Sequence, residues 1–300
     1  MTSFTQKQIE VRFTLGAGQF AAGGNTKIVN GLATRCKISK PGLPDKNGAS
    51  VTIYGLLPDD MARLTTLNFR PLQVQKNLIQ ILAGEVGGSM SIAFAGEITS
   101  AFADYNAAPD IAFVVEALAG YYPSVTPAAP MSIRGSVSIE EIVSGIAKDI
   151  GYQFENFGVT ASLLNPILNG SPIEKARTAC RNAGVQLFID DNRLRIAPAD
   201  GFVGSSRPVP LSAETGLIGY PTFGSDGIKL KAYYQPELEL GGLIHVQSIV
   251  PMASGDWIIT KLSHQIEANV PGSDNAWISE FEASHDGKTK KDKKKDKEKS

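Results

Sequence analysis

Three histidines, two cysteines and three adjacent carboxylate pairs are the residues of this chain best suited to chemistry. His245, His264 and His285 all fall near the C-terminus, and His245 and His264 alternate with apolar neighbours as strand residues do. A metal or general-base role needs partners at set spacings, yet no HExxH, no CxxC and no close Cys/His pair accompanies them. They read instead as satisfied or solvent-facing strand histidines. Cys36 and Cys180 lie far apart and read as buried small hydrophobes. The pairs Asp59-Asp60 and Glu140-Glu141 stand where first helical turns are expected, and acids there are favoured by the helix dipole. Asp190-Asp191 reads as turn chemistry. No GxSxG elbow marks a nucleophile. The Gly-rich stretch Ala17 to Asn25 lacks the Lys-Ser/Thr of a phosphate loop and reads as a hairpin loop. No catalytic residue, cofactor site or metal site is therefore assigned.

Aromatic residues are the other candidates. Tyr233 and Tyr234 are adjacent in a strand-like run, so their side chains point to opposite faces and at least one faces outward. With Pro236 they are the candidate contact residues. Trp257 and Trp277 sit in alternating strands, where core packing is the default.

The elements that position these residues are mostly strands. Gln8 to Leu15 alternates Ile, Val, Phe and Leu against Glu, Arg and Thr, a half-buried antiparallel pattern. Arg35 to Ser39, Ala49 to Tyr54, Val74 to Leu82, Ser91 to Ala103 and Ile111 to Ala119 continue in strand pattern, with one short helix at Pro58 to Leu64. Gly120 to Pro130 reads as a linker. Met131 to Pro198 changes character. Ser138 and Glu141 predict a capping box, followed by apolar residues at helical spacing to Ile150 and a closing Gly151. Ser171, Pro172 and Glu174 open a second helix that ends at Gly184. With Tyr152 to Phe157 and a hairpin across Asp190-Asp191-Asn192, the order is helix, strand, helix, strand, strand. Strand pattern then resumes from Gly227 to Ala283, and the last strand sets Trp277, Ser279, Phe281 and Ala283 against Ile278, Glu280 and Glu282.

The predicted fold class is α+β, mainly β. Two similar small β-barrel-like domains (1–119 and 201–285) flank a central α/β domain (131–200), with a linker at 120–130 and a disordered basic tail at 286–300. Lys288 to Ser300 holds eight Lys and three acids, which leaves 29 − 8 = 21 basic and 30 − 3 = 27 acidic residues elsewhere. A body near −6 argues against a nucleic-acid-binding protein. No stretch approaches the length of a membrane span and Met1 to Glu10 has no signal-peptide core, so no membrane partner is expected and synthesis in a reducing cytoplasm is.

Four runs taken in order carry a resemblance: RGSVSIEEIVSGIAKDIGYQF, NGSPIEKARTACRNAGVQLFIDDNRLRIAP, ETGLIGYPTFGSDGIKLKAYYQPELELGGLIHVQS and GDWIITKLSHQIEANVPGSDNAWISEFEA. Together they resemble the baseplate hub family of contractile-tailed bacteriophages, and the first third, with its I-Y-G-L run at Ile53 to Leu56, is similar to the family's opening domain. The resemblance implies a homotrimeric, non-enzymatic virion protein of the tail baseplate, assembled in the host cytoplasm. Its implied partners are a tail tube protein, a central spike protein and other baseplate proteins, with DNA at most in transit through a channel. Two similar barrels per chain would match a sixfold tube while three chains meet a threefold spike. Two other readings compete. A cell-wall or glycan-binding module would use the GxSxxEIxxxIAxxxG run, and a hydrolase on a β scaffold would need a constellation that the sequence does not display.

Overall fold

The computed structural model describes residues 5–20, 23–65, 76–106, 108–224 and 227–285. The Lys-rich tail, with its expected disorder, and the first two residues of the Val74 to Leu82 run lie outside them. Two compact units emerge, the first formed by residues 1–39, 47–122 and 264–277, the second by 40–46, 123–263 and 278–300.

In the first unit the strands are β1 (Lys7–Thr14), β2 (Thr26–Asn30), β3 (Thr34–Lys40) and β4 (Gly48–Tyr54). After helix α1 (Pro58–Leu64) come β5 (Leu78–Glu85), β6 (Met90–Asp104) and β7 (Ala112–Leu118), then helix α2 (Tyr121–Val125). The strands follow the antiparallel path β3-β4-β7-β6-β5-β1-β2. Alternation does what the sequence reading anticipated: Ile9, Val11 and Phe13 are buried while Glu10, Arg12 and Thr14 are only partly covered. Two elements were not foreseen. β2 is five residues of mixed polarity, and α2 lies inside the stretch read as a linker, with Tyr122 buried at its start. In α1, Asp60 is a first-turn acid as anticipated, but it is also buried and paired with Lys27 at 2.7 Å.

The second unit contains two separate apolar cores. One belongs to the helical segment. Helix α3 (Ile139–Ile150) lies among three short strands, β8 (Met131–Ser132), β9 (Ser136–Ser138) and β10 (Gln153–Asn156), and it buries Ile139, Ile142, Val143 and Ile146, each worth about 1.5–3 kcal/mol of transfer free energy. After β11 (Ser162–Leu164) and β12 (Ile167–Leu168), helix α4 (Pro172–Asn182) adds Ile173, Ala176, Ala179 and Cys180 to that core. The hairpin β13 (Gln186–Asp190) and β14 (Arg193–Ala197) completes it, with β10 pairing parallel to β14. Asp191 and Asn192 both take left-handed backbone (φ 49° and 59°), the conformation a two-residue hairpin turn requires.

The helix caps differ in completeness. Ser171 accepts from the Glu174 N–H and Glu174 returns the bond to the Ser171 N–H, a full capping box. Ser138 accepts from the Glu141 N–H, but among the described residues the reciprocal bond from Ser138 N–H to the Glu141 carboxylate does not form. Gly151 closes α3 in left-handed backbone (φ 76°), as anticipated.

The second core collects Leu211, Ile228, Leu230, Ile244, Trp257, Ile259, Phe281 and their neighbours. Its strands are β15 (Val209–Leu211), β16 (Thr222–Phe223), β17 (Ile228–Tyr233), β18 (Leu243–Val246), β19 (Gly255–Ala268) and β20 (Trp277–Ser284). β16, β17, β20 and β19 are successive neighbours, and β18 joins β19 antiparallel while pairing parallel with β15. The chain is mainly β, as anticipated, but the closed barrel is not: among the described residues no strand pairing closes a barrel. β2 and β16 each end a strand path, so the expected barrels are open sheets.

Candidate contact surface

Strand β17 alternates buried and exposed residues without a break. Ile228, Leu230 and Ala232 enter the core while Lys229, Lys231 and Tyr233 face out. Tyr233 is 51% exposed. Its N–H donates to the Gly216 carbonyl, and the Gln235 side-chain amide donates to the Thr215 carbonyl at 2.6 Å. Gly216 has φ 108° and lies beneath the Tyr233 side chain, where an added Cβ would come within 3.7 Å of it. A rigid backbone clasp thus presents an exposed aromatic ring.

The next residue turns the other way. Tyr234 is buried, and burial pushes its phenol up to about 12. Pro236 is exposed. Of the three candidate contact residues, the structure leaves Tyr233 and Pro236 accessible and makes Tyr234 an interior support.

Around Tyr233 the outer face divides in two. Tyr233 is opposite Ile278 on β20, while Lys231 is opposite Glu280 and Lys229 opposite Glu282. These last pairs close at 3.1 and 3.2 Å, and Lys261 of β19 reaches Glu282 at 2.7 Å. Partial burial would raise the Glu282 pKa, but hydrogen bonds from Lys261 and Lys229 outweigh it and hold the carboxyl below the usual range. Such exposed pairs add little stability. Their effect is to keep the outer face of these strands charged.

Sequence reasoning missed several exposed apolar side chains. Tyr220 and Phe223 are 68% and 54% exposed beside β17, and Ile249 and Met252 are 79% and 81% exposed on the loop between β18 and β19. That loop is tightly built: Ala253 is fully buried, the Trp257 indole donates to the Ala253 carbonyl at 3.0 Å, and the Ser254 hydroxyl donates to the Ser248 carbonyl. The loop thus holds two large apolar side chains out in solvent. The only available sequence signal was a Val-Pro-Met run with no alternating partner strand.

The titratable candidates do not converge. His245 bonds Asp256 across the β18–β19 ladder at 2.6 Å and is exposed, His264 is buried, and His285 stacks on Trp257 with ring centroids 3.8 Å apart. Among the described residues no group of three His, Cys, Asp or Glu is disposed to hold a metal. Burial raises both thiols, that of Cys180 to about 12, so neither is a ready thiolate nucleophile.

Comparison with known proteins decides the lineage. Residues 8–270 match the family described as Baseplate hub gp41. The chain belongs to that family. Baseplate hub membership gives it a structural role in a bacteriophage tail and a place in the virion baseplate. Solved structures of the same fold come from tails and a secretion system. The 43 kDa tail protein of prophage MuSo2 from Shewanella oneidensis matches with TM-score 0.59 and 11% identity over 93% of this chain and 97% of that one. A tail protein from Neisseria meningitidis MC58 matches with TM-score 0.63 and 9% identity over the same shares. The E. coli c3393 protein, a type VI secretion system component with structural similarity to T4 tail proteins gp27 and gp5, matches with TM-score 0.55 and 11% identity over 84% of this chain and 73% of that one. At these identities the likeness is one of fold. No curated protein matches the chain.

Proposed function

We propose that this hub-family chain is a homotrimer that adapts a sixfold tail tube to a threefold central spike, without catalysing a reaction. The family match carries this reading, because it runs from β1 into the loop after β19 and so includes residues of both compact units. On this reading the β-rich regions 1–119 and 201–285 are alike, so three chains present six similar surfaces to the tube. The α/β region 131–200 braces them, and 120–130 connects. Partners are the tube protein, the spike protein and other baseplate proteins, and assembly precedes tail completion in the host cytoplasm. A basic channel lining would hold phosphate tightly. The acidic balance of the body is compatible with DNA in transit.

Tyr233 and Pro236 are the contact residues of this reading, joined by the exposed Tyr220 and Phe223. A preorganised aromatic ring beside a charged rim is the composition of an interface hot spot. The reading is tested by the mass of the full chain in solution, with a chain mass of 31.9 kDa as reference. Three copies per particle support it. A stable monomer that binds glycan chains would instead favour the cell-wall-binding alternative.

A further inference from the structure

The second unit holds a buried ion cluster with no part in the contact surface. Arg195 of β14 is fully buried, with one terminal nitrogen 3.3 Å from Asp190 Oδ2 and the other bonded to Glu239. Lys40, also buried, sits between Asp190 at 2.9 Å and Asp191 at 3.1 Å. Arg193 closes the group, 3.6 Å from Glu155, 3.8 Å from Asp191 and 3.7 Å from Glu239. Three cations thus face four anions.

The members come from three separate stretches of chain. Asp190, Asp191, Arg193 and Arg195 belong to the α/β segment, Glu239 to the turn that leads into β18, and Lys40 to residues 40–46 of the same unit. The α/β segment and the C-terminal β segment have separate apolar cores. Where they meet, Gly241 approaches Phe188 so closely that an added Cβ would lie 2.6 Å from the ring. Apolar contact of that kind is close but has no preferred direction. The planar Arg195 fork, held by two carboxylates at two different nitrogens, does have one.

Stability alone is a poor explanation for the cluster. Desolvating ions costs much of what their attraction returns, so a well-packed apolar group of equal volume is often as stable or more stable. Arg195 Nε is in addition buried with no hydrogen-bond partner among the described residues. A pH sensor is no better. Burial would raise Asp190, but Lys40 and Arg195 outweigh it and hold the carboxyl low, while the two aspartates hold Lys40 high against its own burial. Asp190 and Lys40 thus hold one another in their charged forms, with Asp191, Arg193, Glu155 and Glu239 at the rim of the cluster.

We propose that the cluster is a positioning device: Arg195, bridging Asp190 and Glu239, fixes the orientation of the α/β segment on the C-terminal β segment. The inference does not depend on the trimer reading, because it is tested within one chain. Spin labels are placed at the exposed Lys148→Cys and Lys229→Cys, while the native cysteines, both buried, are shielded from the reagent. The doubly labelled full chain, diluted into an excess of unlabelled chain so that each particle carries at most one labelled copy, is expected to give one narrow distance distribution. Arg195→Met with Glu239→Leu is expected to broaden it while melting stays within about 4 °C of the parent. Should the double variant fail to fold, Glu239→Leu alone, at a side chain one-third exposed, is measured in its place and is expected to broaden the distribution too. A distribution as narrow as the parent's in whichever variant folds would overturn the proposal.

Discussion

Tyr233 and Tyr234 show how one bond along the chain separates an exposed ring from a buried one. The first is half exposed over Gly216 and the second is buried. Tyr233→Asp should therefore leave the melting temperature unchanged and abolish assembly, which sedimentation of the purified chain will show. Tyr234→Asp should lower unfolding free energy by about 3 kcal/mol or more, since it empties a buried volume and inserts a group that resists burial. The alternation behind this difference was legible in the sequence. The partner of Lys40 was not, because Asp190 lies 150 residues away and no local pattern encodes such a pairing. Read alone, Asp190-Asp191 looked like a solvated turn. The turn is real, yet Asp190 is the buried centre of the ion cluster. Its folded pKa is depressed, so its contribution is complete above the unfolded value of about 3.9 and is lost as pH falls through the lower, folded value. Acid titration of unfolding should show that loss, and Asp190→Asn should flatten the curve below about pH 4 while lowering stability at pH 7.

At the scale of elements, the two long helices were legible from both ends, each with an N-cap serine and a glycine past the last turn; apolar residues three and four apart added a third signal for α3, and Pro172 at the first position one for α4. Ser171→Ala removes one half of a complete capping box and should cost about 1 kcal/mol in denaturant unfolding. Ile146→Ala, at a buried position of α3, should cost about 2–5 kcal/mol by the same measurement. The short ladders β8 with β12 and β9 with β11 escaped notice because two or three residues cannot display an alternation. β2 was missed for a related reason: as an end strand it buries Val29 but leaves Ile28 half exposed, so its two faces are not distinguished by polarity.

For the whole molecule, mainly-β character followed from many short alternating runs between turns, whereas sheet closure could not. Alternation specifies which face of a strand is buried but not which strands become neighbours, and among the described residues no strand pairing closes a barrel. Function was legible only through the order of four runs, because the sequence carries no catalytic motif and, among the described residues, no group of three His, Cys, Asp or Glu is disposed to hold a metal. Family membership then places the chain in the tail baseplate, and the exposed aromatic and apolar residues of the second unit become its candidate contacts. The most direct test is an image reconstruction of the intact tail. The account predicts three copies of this chain on the tail axis, between the tube and the spike, with Tyr233 at a chain–chain boundary. Density for the chain away from the axis, or in a number other than three, would contradict it.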